Sequence, residues 1–476
     1  MNEDVKLRKQ ADDAVNQHFQ HVKEDAYFPG YHTAPPVGLL NDPNGWIQWK
    51  GRYHLFFQWM PFHTGHGAKL WGHFTSENLV DWQFEPAALT PSDWFDKNGC
   101  YSGSAVADEE KLKVFYTGNV KDTQGNRKTY QCSAESRDGV NFDKKGVRIE
   151  LPEGYTPHFR DPKVWKHDNL WYMVIGAQTI DKIGSAVLFA SPDLEEWTHR
   201  GILTHAEEEP FEKLGYMWEC PDIFKLEDKD IFLFSPQGLV SQGIHYNNQY
   251  QCGYTVGHLN YEKSNFSHGE FIELDRGFEF YAPQTTLDDK GRRILIGWMG
   301  VPEQNEAAQP TVENGWVHQM TLPRQLALQK GKLYQRPLEE FKQLRTGEAK
   351  RLIIDGEYFT SISRTSEVEL IGEAEKVSIF DYALLSYNSE TGLATLERPS
   401  YVDGTKETRS CYLPNGLERL HIFVDHSSLE VFINDGEEVF TARIFAQPGN
   451  DSLTINTRNS SQVQIWSLRN DTIHIR

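Results

Sequence analysis

The sequence predicts an all-β protein in which a five-bladed β-propeller is followed by an antiparallel β-sandwich and preceded by a short N-terminal helix. The first observation is a repeat of about 60 residues that recurs five times, long enough for a four-stranded sheet with its loops. The second is a change after residue 346 to short alternating strands separated by Gly, Asn and Asp. The third is the near absence of helical periodicity between residues 30 and 330.

The predicted helix covers residues 4–24, which lack Gly and Pro. Its apolar residues, such as Val5, Ala11 and Phe19, form one thin stripe, so we expect a partly exposed helix that ends before Pro29. These changes in pattern divide the chain into a helical extension (1–28), the propeller (29–335), a linker (336–348) and the sandwich (349–476).

Each repeat begins with two apolar strands joined by a tight turn, which is the pattern of a β-hairpin. The hairpins start near five marker residues that lie 58 to 62 residues apart: Asp42, Gly103, Asp161, Cys220 and Ala282. Blades built from such repeats stack radially and hide their strand edges. An irregular β-sandwich with chance similarities is the alternative interpretation of this region.

Composition and charge exclude several classes of partner. The chain has 48 Lys and Arg against 68 Asp and Glu, a net charge of −20, which argues against nucleic acid or a membrane surface as a partner. No apolar run is long enough for a membrane span, and the acidic start from Met1 to Asp4 lacks the pattern of a secretory signal. The five scattered cysteines predict free thiols and a cytoplasmic location.

We expect neither a cofactor nor a metal. No phosphate-binding or dinucleotide glycine loop is present, and the histidines show no metal-ligand spacing. The partner that remains is a small molecule, and the oligomeric state is left open.

Three acidic residues lie at the starts of three different repeats. Asp42 belongs to Asn-Asp-Pro-Asn-Gly, Asp161 to Arg-Asp-Pro, and Glu219 to Trp-Glu-Cys-Pro-Asp. The first strand of each propeller blade lines the central axis, so the same register should bring these carboxylates together. Repulsion then separates their pKa values, and glycoside hydrolysis needs one ionised and one protonated carboxyl. For Asp42 or Asp161 taken alone, a turn-initiating Asp before Pro is the alternative.

The ordered motifs resemble those of glycoside hydrolase family 32, the β-fructofuranosidases. The matching residues are Asn41–Gly45, Gln58, Trp71–His73, Tyr101–Ser104, Phe159–Pro162, Trp218–Asp222, Gly297–Met299 and Leu322–Arg324. The resemblance implies hydrolysis of sucrose, sucrose 6-phosphate or both, with release of fructose and retention of configuration. It also implies that Asp42 is the nucleophile, Glu219 the acid/base and Asp161 the transition-state stabiliser. The residues expected to hold substrate are Asn41, Gln58, Tyr101, Ser102, Arg160 and Trp298.

Two expectations concern the reacting carboxyls. We expect Asp42 and Glu219 to lie about 5–5.5 Å apart, as in retaining glycosidases. We also expect Glu219 to hold the proton, because neighbouring negative charges and burial against Trp218 favour its neutral form.

The loop from Met60 to Leu70 departs from many family members, because it carries two His and a Lys. It resembles the loop of bacterial sucrose-6-phosphate hydrolases, so we expect His66 and Lys69 to meet a phosphate at the rim of the pocket. An ordinary exposed polar loop is the alternative. At the level of function, a short-fructan hydrolase, an arabinan-cleaving propeller and an inert carbohydrate-binding propeller remain alternatives.

Overall fold

A computed structural model describes residues 2–211 and 213–475. The chain begins with helix α1 (Glu3–Lys23), whose first turn is capped by the Asn2 side chain, which accepts from the Asp4 amide at 3.2 Å. Its buried stripe is Ala11, Val15 and Val22. The buried stripe differs from the predicted one, because it leaves out Val5, which is half exposed near the N-terminal end of the helix.

Five sheets follow in chain order. The first contains β1 (Gly38–Trp49), β2 (Arg52–Met60), β3 (Leu70–Ser76) and β4 (Trp82–Leu89). The second contains β5 (Cys100–Asp108), β6 (Lys111–Lys121), β7 (Arg127–Ser136) and β8 (Asp143–Glu150). The third contains β9 (Tyr155–His167), β10 (Leu170–Thr179), β11 (Gly184–Ser191) and β12 (Thr198–His205).

The fourth sheet contains β13 (Met217–Leu226), β14 (Lys229–Gln237), β15 (Gly253–Asn260), β16 (Asn265–His268) and β17 (Ile272–Glu273). The fifth contains β18 (Tyr281–Leu287), β19 (Arg293–Trp298), β21 (Arg324–Gln329) and β22 (Lys332–Pro337). Between β19 and β21 lie two 3₁₀ turns (Glu306–Ala308 and Pro310–Asn314) and β20 (Trp316–Val317), which pairs with β1.

The first strands of the five sheets form a ring. β1 contacts β5 and β18, β5 contacts β9, and β13 contacts both β9 and β18. Each sheet then continues outward by antiparallel pairing. This radial arrangement is a β-propeller, as predicted, and its axis is lined by the inner strands.

Every inner strand carries a bulge at its beginning, where two of its residues face one residue of the next strand. Bulges of this kind bend a strand and redirect its side chains, and they tolerate Pro because no ladder hydrogen bond is lost. The bulged pairs are Asn41-Asp42, Tyr101-Ser102, Asp161-Pro162, Cys220-Pro221 and Ala282-Pro283.

Below the bulges, buried side chains join neighbouring inner strands. Lys163 Nζ donates to Asp222 Oδ2 at 3.0 Å and to the Thr285 carbonyl at 2.8 Å. Ser104 Oγ donates to the Pro162 carbonyl at 2.8 Å, and Gln284 Nε2 donates to the Gly103 carbonyl at 2.7 Å. These bonds form a polar layer across the axis, which we call the cross-sheet layer.

The C-terminal part begins after a 3₁₀ turn at Glu339–Leu344. Its strands are β23 (Lys350–Ser361), β24 (Ser366–Ile371), β25 (Ala374–Ile379), β26 (Ala383–Asn388), β27 (Leu393–Pro399), β28 (Lys406–Tyr412), β29 (Arg419–Asp425), β30 (Ser428–Ile433), β31 (Glu438–Arg443) and β32 (Ser452–Ser467). The first half of β32 pairs with β25 and its second half with β24, while β23 runs along both. The two halves extend into two layers around an apolar core, which is the predicted β-sandwich.

The last strand, β33 (Ile473–Ile475), lies in the propeller rather than in the sandwich, because it pairs in parallel with the outer strand β4. Helix α1 approaches the same sheet, where Arg8 Nη2 donates to the Ala88 carbonyl at 3.1 Å. Both ends of the described chain therefore cover the first sheet. The sequence pattern predicted neither contact.

Helix α1 is polar, and no helix among the described residues is long and apolar enough to cross a membrane.

Candidate active site

A cavity of about 180 Å³ opens where the five bulges meet, and we call it the acidic cavity. It contains all the residues predicted for catalysis and binding, together with three that were not: Gly67, Tyr281 and Pro302. The predicted residues that line it are Asn41, Asp42, Gln58, His66, Lys69, Tyr101, Ser102, Arg160, Asp161, Glu219 and Trp298.

The three carboxylates reach the cavity from three successive positions around the bulge. Glu219 precedes the bulge of β13, Asp161 is the first bulged residue of β9, and Asp42 is the second bulged residue of β1. The expectation of one shared register is therefore wrong in detail. A bulge turns consecutive side chains in different directions, so three positions can all face the axis.

Asp42 is held by two donors. Ser102 Oγ donates to its Oδ2 at 2.6 Å, and Asn41 Nδ2 donates to its Oδ1 at 3.1 Å. Burial raises the pKa of Asp42 and the charge of Glu219 raises it further, while the two hydrogen bonds lower it. The bonds fix both oxygens and favour the carboxylate form.

Asp161 sits on strained backbone, with a φ of 67°. Few residues adopt this left-handed conformation, and it is common at functional sites. Its Oδ2 accepts from the Cys220 amide at 3.0 Å, and its own amide donates to Thr117 Oγ1 at 3.0 Å. Burial raises the pKa of Asp161 to about 7, with Glu219 and Asp42 adding to the rise and Arg160 opposing it.

Glu219 accepts hydrogen bonds at both oxygens. Arg160 Nη2 donates to Oε1 at 2.6 Å, Tyr281 Oη donates to Oε2 at 2.6 Å, and Gln237 Nε2 donates to Oε2 at 2.8 Å. These donors hold both oxygens of the Glu219 carboxyl in place. The expectation that Glu219 holds the proton stays a prediction.

Sequence reasoning missed Tyr281, Gln237 and the thiol of Cys220. Tyr281 precedes the bulge of β18, the position that Glu219 takes in β13, so the repeat register could have identified it. Cys220 Sγ lies 3.5 Å from Asp161 Oδ2 and 3.7 Å from Asp42 Oδ2. It links two of the acids, and burial raises the pKa of this thiol.

The prediction that Lys69 lies at the rim of the pocket is wrong. Its side chain is buried beside the bulge of β1. Its Nζ donates to Asn41 Oδ1 at 2.7 Å. Burial lowers the pKa of Lys69 to about 7, although the charges of Glu306 and Asp42 oppose the fall. Lys69 therefore orients Asn41, which in turn holds Asp42.

His66 is the exposed member of the predicted cationic pair. Its Nε2 lies 3.0 Å from Glu306 Oε2, which also bonds the buried His318 at 2.9 Å. The two histidines hold the pKa of Glu306 well below its usual range. Glu306 thereby ties the loop after β2 to the segment after β19 at one wall of the cavity.

Gln58, Trp298 and Tyr101 complete the cavity. Gln58 Nε2 donates to the Cys100 carbonyl at 2.8 Å, and the Trp71 indole donates to the Tyr101 carbonyl at 3.0 Å. The Trp298 indole N–H is buried and has no hydrogen-bond partner among the described residues. Amide, indole and phenol groups of this kind suit a polyhydroxylated ligand.

Within the described residues, one group of side chains is close enough to hold a metal ion: Glu367, Glu369 and His421 in the sandwich. Arg345 pairs with Glu367 at 2.7 Å, and Arg419 pairs with Glu369 at 3.0 Å. The arginines already neutralise these carboxylates, so we interpret the group as an ion-pair network of the sandwich.

Comparison with known sequences assigns both parts of the chain to one family. Residues 32–337 match the pattern described as "Glycosyl hydrolases family 32 N-terminal domain", and residues 367–469 match "Glycosyl hydrolases family 32 C terminal". The sucrose-6-phosphate hydrolase of Bacillus subtilis (strain 168) is 51% identical over 475 residues, covering 98% of this chain and 99% of that protein.

Solved structures also resemble nearly the whole chain. The sucrose-6-phosphate hydrolase from Lactobacillus gasseri superposes with a TM-score of 0.89 at 32% identity, covering 96% of each chain. A mutant of a GH32 beta-fructofuranosidase from Bombyx mori, in complex with sucrose, superposes with a TM-score of 0.88 at 34% identity and covers 100% of each chain.

Proposed function

The chain belongs to glycosyl hydrolase family 32, and we propose that it is a retaining β-fructofuranosidase that releases fructose from sucrose 6-phosphate and from sucrose. The observation that carries the proposal is the meeting of Asp42, Asp161 and Glu219 in one cavity, with hydrogen-bonding groups around them. The relatives named sucrose-6-phosphate hydrolase support the substrate. Five sheets around one axis support five blades.

Asp42 is the proposed nucleophile. Ser102 and Asn41 hold its carboxylate in one orientation. One oxygen is therefore preorganised to attack C2 of the fructosyl unit. Attack forms a fructosyl ester of Asp42, and the C2–O bond to the leaving sugar breaks. Water then hydrolyses this ester, and two displacements at one carbon retain its configuration.

Glu219 is the proposed acid and base. In the first step it gives a proton to the leaving oxygen, and in the second it takes a proton from the attacking water. Glu219 must therefore hold a proton when the first step begins. Tyr281 and Gln237 donate to Oε2 and Arg160 to Oε1, so proton transfer requires one of these contacts to loosen.

Asp161 and Arg160 are the proposed stabilisers of the transition state. Asp161 is fixed by the Cys220 amide, and its neighbour Arg160 spans to Glu219. As the fructosyl ring flattens and gains positive charge, a fixed carboxylate beside it is stabilising because no solvent must reorganise.

The phosphate preference is proposed to depend on His66 rather than on Lys69. The phosphate is on the glucosyl 6-oxygen and lies outside the fructosyl subsite, and His66 is the exposed member of the pair. A charge-assisted bond there contributes about 1.5–3 kcal/mol, or roughly ten- to a hundredfold in selectivity. Lys69 is committed to Asn41, so its replacement should affect both substrates.

The test compares kcat/KM for sucrose 6-phosphate and sucrose in the wild type, His66→Ala and His63→Ala. His63 is an exposed control in the same loop that does not line the cavity. We expect His66→Ala to lose most of the preference and His63→Ala to keep it. Equal kcat/KM values in the wild type would overturn the phosphate preference alone, whereas no fructose from either sugar would overturn the glycosidase assignment.

We also propose a cytoplasmic site of action. All five cysteines are free and buried in the structure, which fits a reducing compartment. Phosphorylated sugars are also characteristic intracellular metabolites.

A further inference from the structure

A second cavity of about 650 Å³ lies at the other end of the propeller axis, and we call it the lower cavity. Its walls come from later residues of the same inner strands that form the acidic cavity, including Ile47, Val106 and Val164. Among the described residues, none lines both cavities, and the cross-sheet bonds of Lys163, Asp222 and Thr285 follow the bulges along their strands. The two cavities are therefore separate sites.

The lower cavity is basic in a strongly acidic chain. Its lining contains Lys163, Lys166, Lys225 and Arg293, and its lining carboxylate is Asp230. The chain as a whole has a net charge of −20, so this excess of positive charge is local. A concave basic surface with low-dielectric walls concentrates anions.

The cations differ in how far they are already paired. Lys163 is committed to Asp222 at 3.0 Å, and Asp230 accepts from the Leu259 amide at 2.9 Å. Within the described residues, Lys166 and Lys225 form no ion pair. Two exposed ammonium groups at the mouth are thus available to an incoming anion.

Arg293 supplies an independent indication of a ligand. Its guanidinium lies 4.8 Å from the ring centre of Phe224, and its buried Nε has no hydrogen-bond partner among the described residues. Buried N–H groups almost always have a hydrogen-bond acceptor. The Arg293 Nε at the cavity wall therefore indicates that a ligand supplies the acceptor. Arginine is well suited to bind phosphate oxygens.

The remaining wall is aromatic. Trp46, Trp165, Trp171, Phe224 and Tyr261 line the cavity beside the cations, and of these Trp165 and Tyr261 are partly exposed while the other three are buried. Aromatic faces pack against the apolar faces of sugar rings, while the cations bind a charged group. The combination matches a ligand that has both a ring and a dianion.

We propose that the lower cavity binds a phosphate monoester of a sugar, with the phosphate at Lys166, Lys225 and Arg293 and the ring against the aromatic wall. Binding there needs no residue of the acidic cavity. It gives the protein a second site for phosphorylated sugars, away from the hydrolytic one.

The test measures binding of glucose 6-phosphate, glucose and inorganic phosphate by titration calorimetry. The variants are Lys166→Glu with Lys225→Glu, and separately Arg293→Gln, with the exposed Lys330→Glu as a charge-reversal control on another turn. Competitive inhibition of fructose release by glucose 6-phosphate reports the acidic cavity in the same proteins. Thermal unfolding confirms that each variant is folded.

We expect the double variant to bind glucose 6-phosphate at least tenfold more weakly, with Lys330→Glu and the inhibition constant unchanged. Glucose alone should bind weakly, since it lacks the dianion. Unchanged binding in the double variant would overturn the proposal. Equal affinity for inorganic phosphate and glucose 6-phosphate would overturn the sugar part and leave an anion site only.

Discussion

At the scale of single residues, the acidic cavity depends on how three carboxyls divide their roles. Asp42 accepts from Ser102 and Asn41, Asp161 from the Cys220 amide, and Glu219 from Arg160, Tyr281 and Gln237. The sequence predicted the three acids because Asp42 and Asp161 are repeat markers and Glu219 stands beside one. It did not identify Tyr281 and Gln237 as partners of Glu219, since these residues lie on other strands.

Glu219→Gln should reduce kcat for sucrose by about 10²–10⁴-fold, because the leaving sugar then departs without a proton. With a fructosyl fluoride, whose leaving group needs no proton, formation of the intermediate should slow far less. Stopped-flow measurement of fluoride release separates the two steps.

Added azide provides the control for Glu219→Gln. It attacks the fructosyl ester without a base, so it should restore turnover of the fructosyl fluoride. Losses of the same size for both substrates, with no rescue by azide, would contradict the acid/base role. Retained thermal stability excludes a folding defect from the lost pair with Arg160.

At the scale of elements, the repeated bulge places the site. The sequence predicted the five hairpins from strand and turn patterns, but it did not predict the bulges, because they depend on how one strand pairs with the next. The pairing explains why Asp42, Asp161 and Glu219 converge from different positions of their repeats. It also explains why Tyr281 belongs to the site.

Gly103→Ala should disturb the bulge that carries Ser102. A Cβ at this position would lie 1.9 Å from the Phe115 carbonyl oxygen and 2.7 Å from Tyr116 Cα, both in the backbone of β6. Strand β5 must then shift, with a loss of about 1–3 kcal/mol in unfolding free energy and a lower kcat.

Gly269→Ala is the matched control, because its Cβ would meet only the Val256 carbonyl oxygen at 3.6 Å. Chemical denaturation and kcat measured on both variants check the prediction. Equal behaviour of the two would show that the close approach of β5 to β6 is not needed.

At the scale of the whole molecule, buried ion pairs join the propeller to the sandwich. Arg324 of β21 bonds Glu430 of β30 at 2.5 Å and Asp275 at 2.9 Å. His32 bonds Asp425 at 2.8 Å and Glu430 at 2.9 Å. The sequence predicted both units but not this interface, since the propeller and sandwich residues that pair across it are more than 100 positions apart and show no local pattern.

Protonated His32 should stabilise the interface in a defined pH window. Its two carboxylate partners raise its pKa from 6.5 to about 9 against the opposing effect of burial. The stabilisation is therefore complete below about pH 6.5 and is lost as pH rises through about 9; linkage places it on the order of 3 kcal/mol.

Thermal unfolding of the wild type and His32→Gln between pH 6 and pH 9.5 isolates this contribution, because other titrating groups cancel in the difference. The variant should be less stable at pH 6, and the difference should shrink toward pH 9.5. A constant difference across the range would contradict the assigned charge on His32.

The central claim is that Asp42 forms a fructosyl ester, so that configuration at C2 is retained. Free fructose equilibrates between its forms, but a methyl fructoside keeps the configuration in which it is made. NMR of the products formed from sucrose in aqueous methanol therefore tests the claim directly. Two displacements predict methyl β-fructofuranoside as the transfer product. Methyl α-fructofuranoside would show a single displacement and would contradict the assignment of Asp42 as the nucleophile.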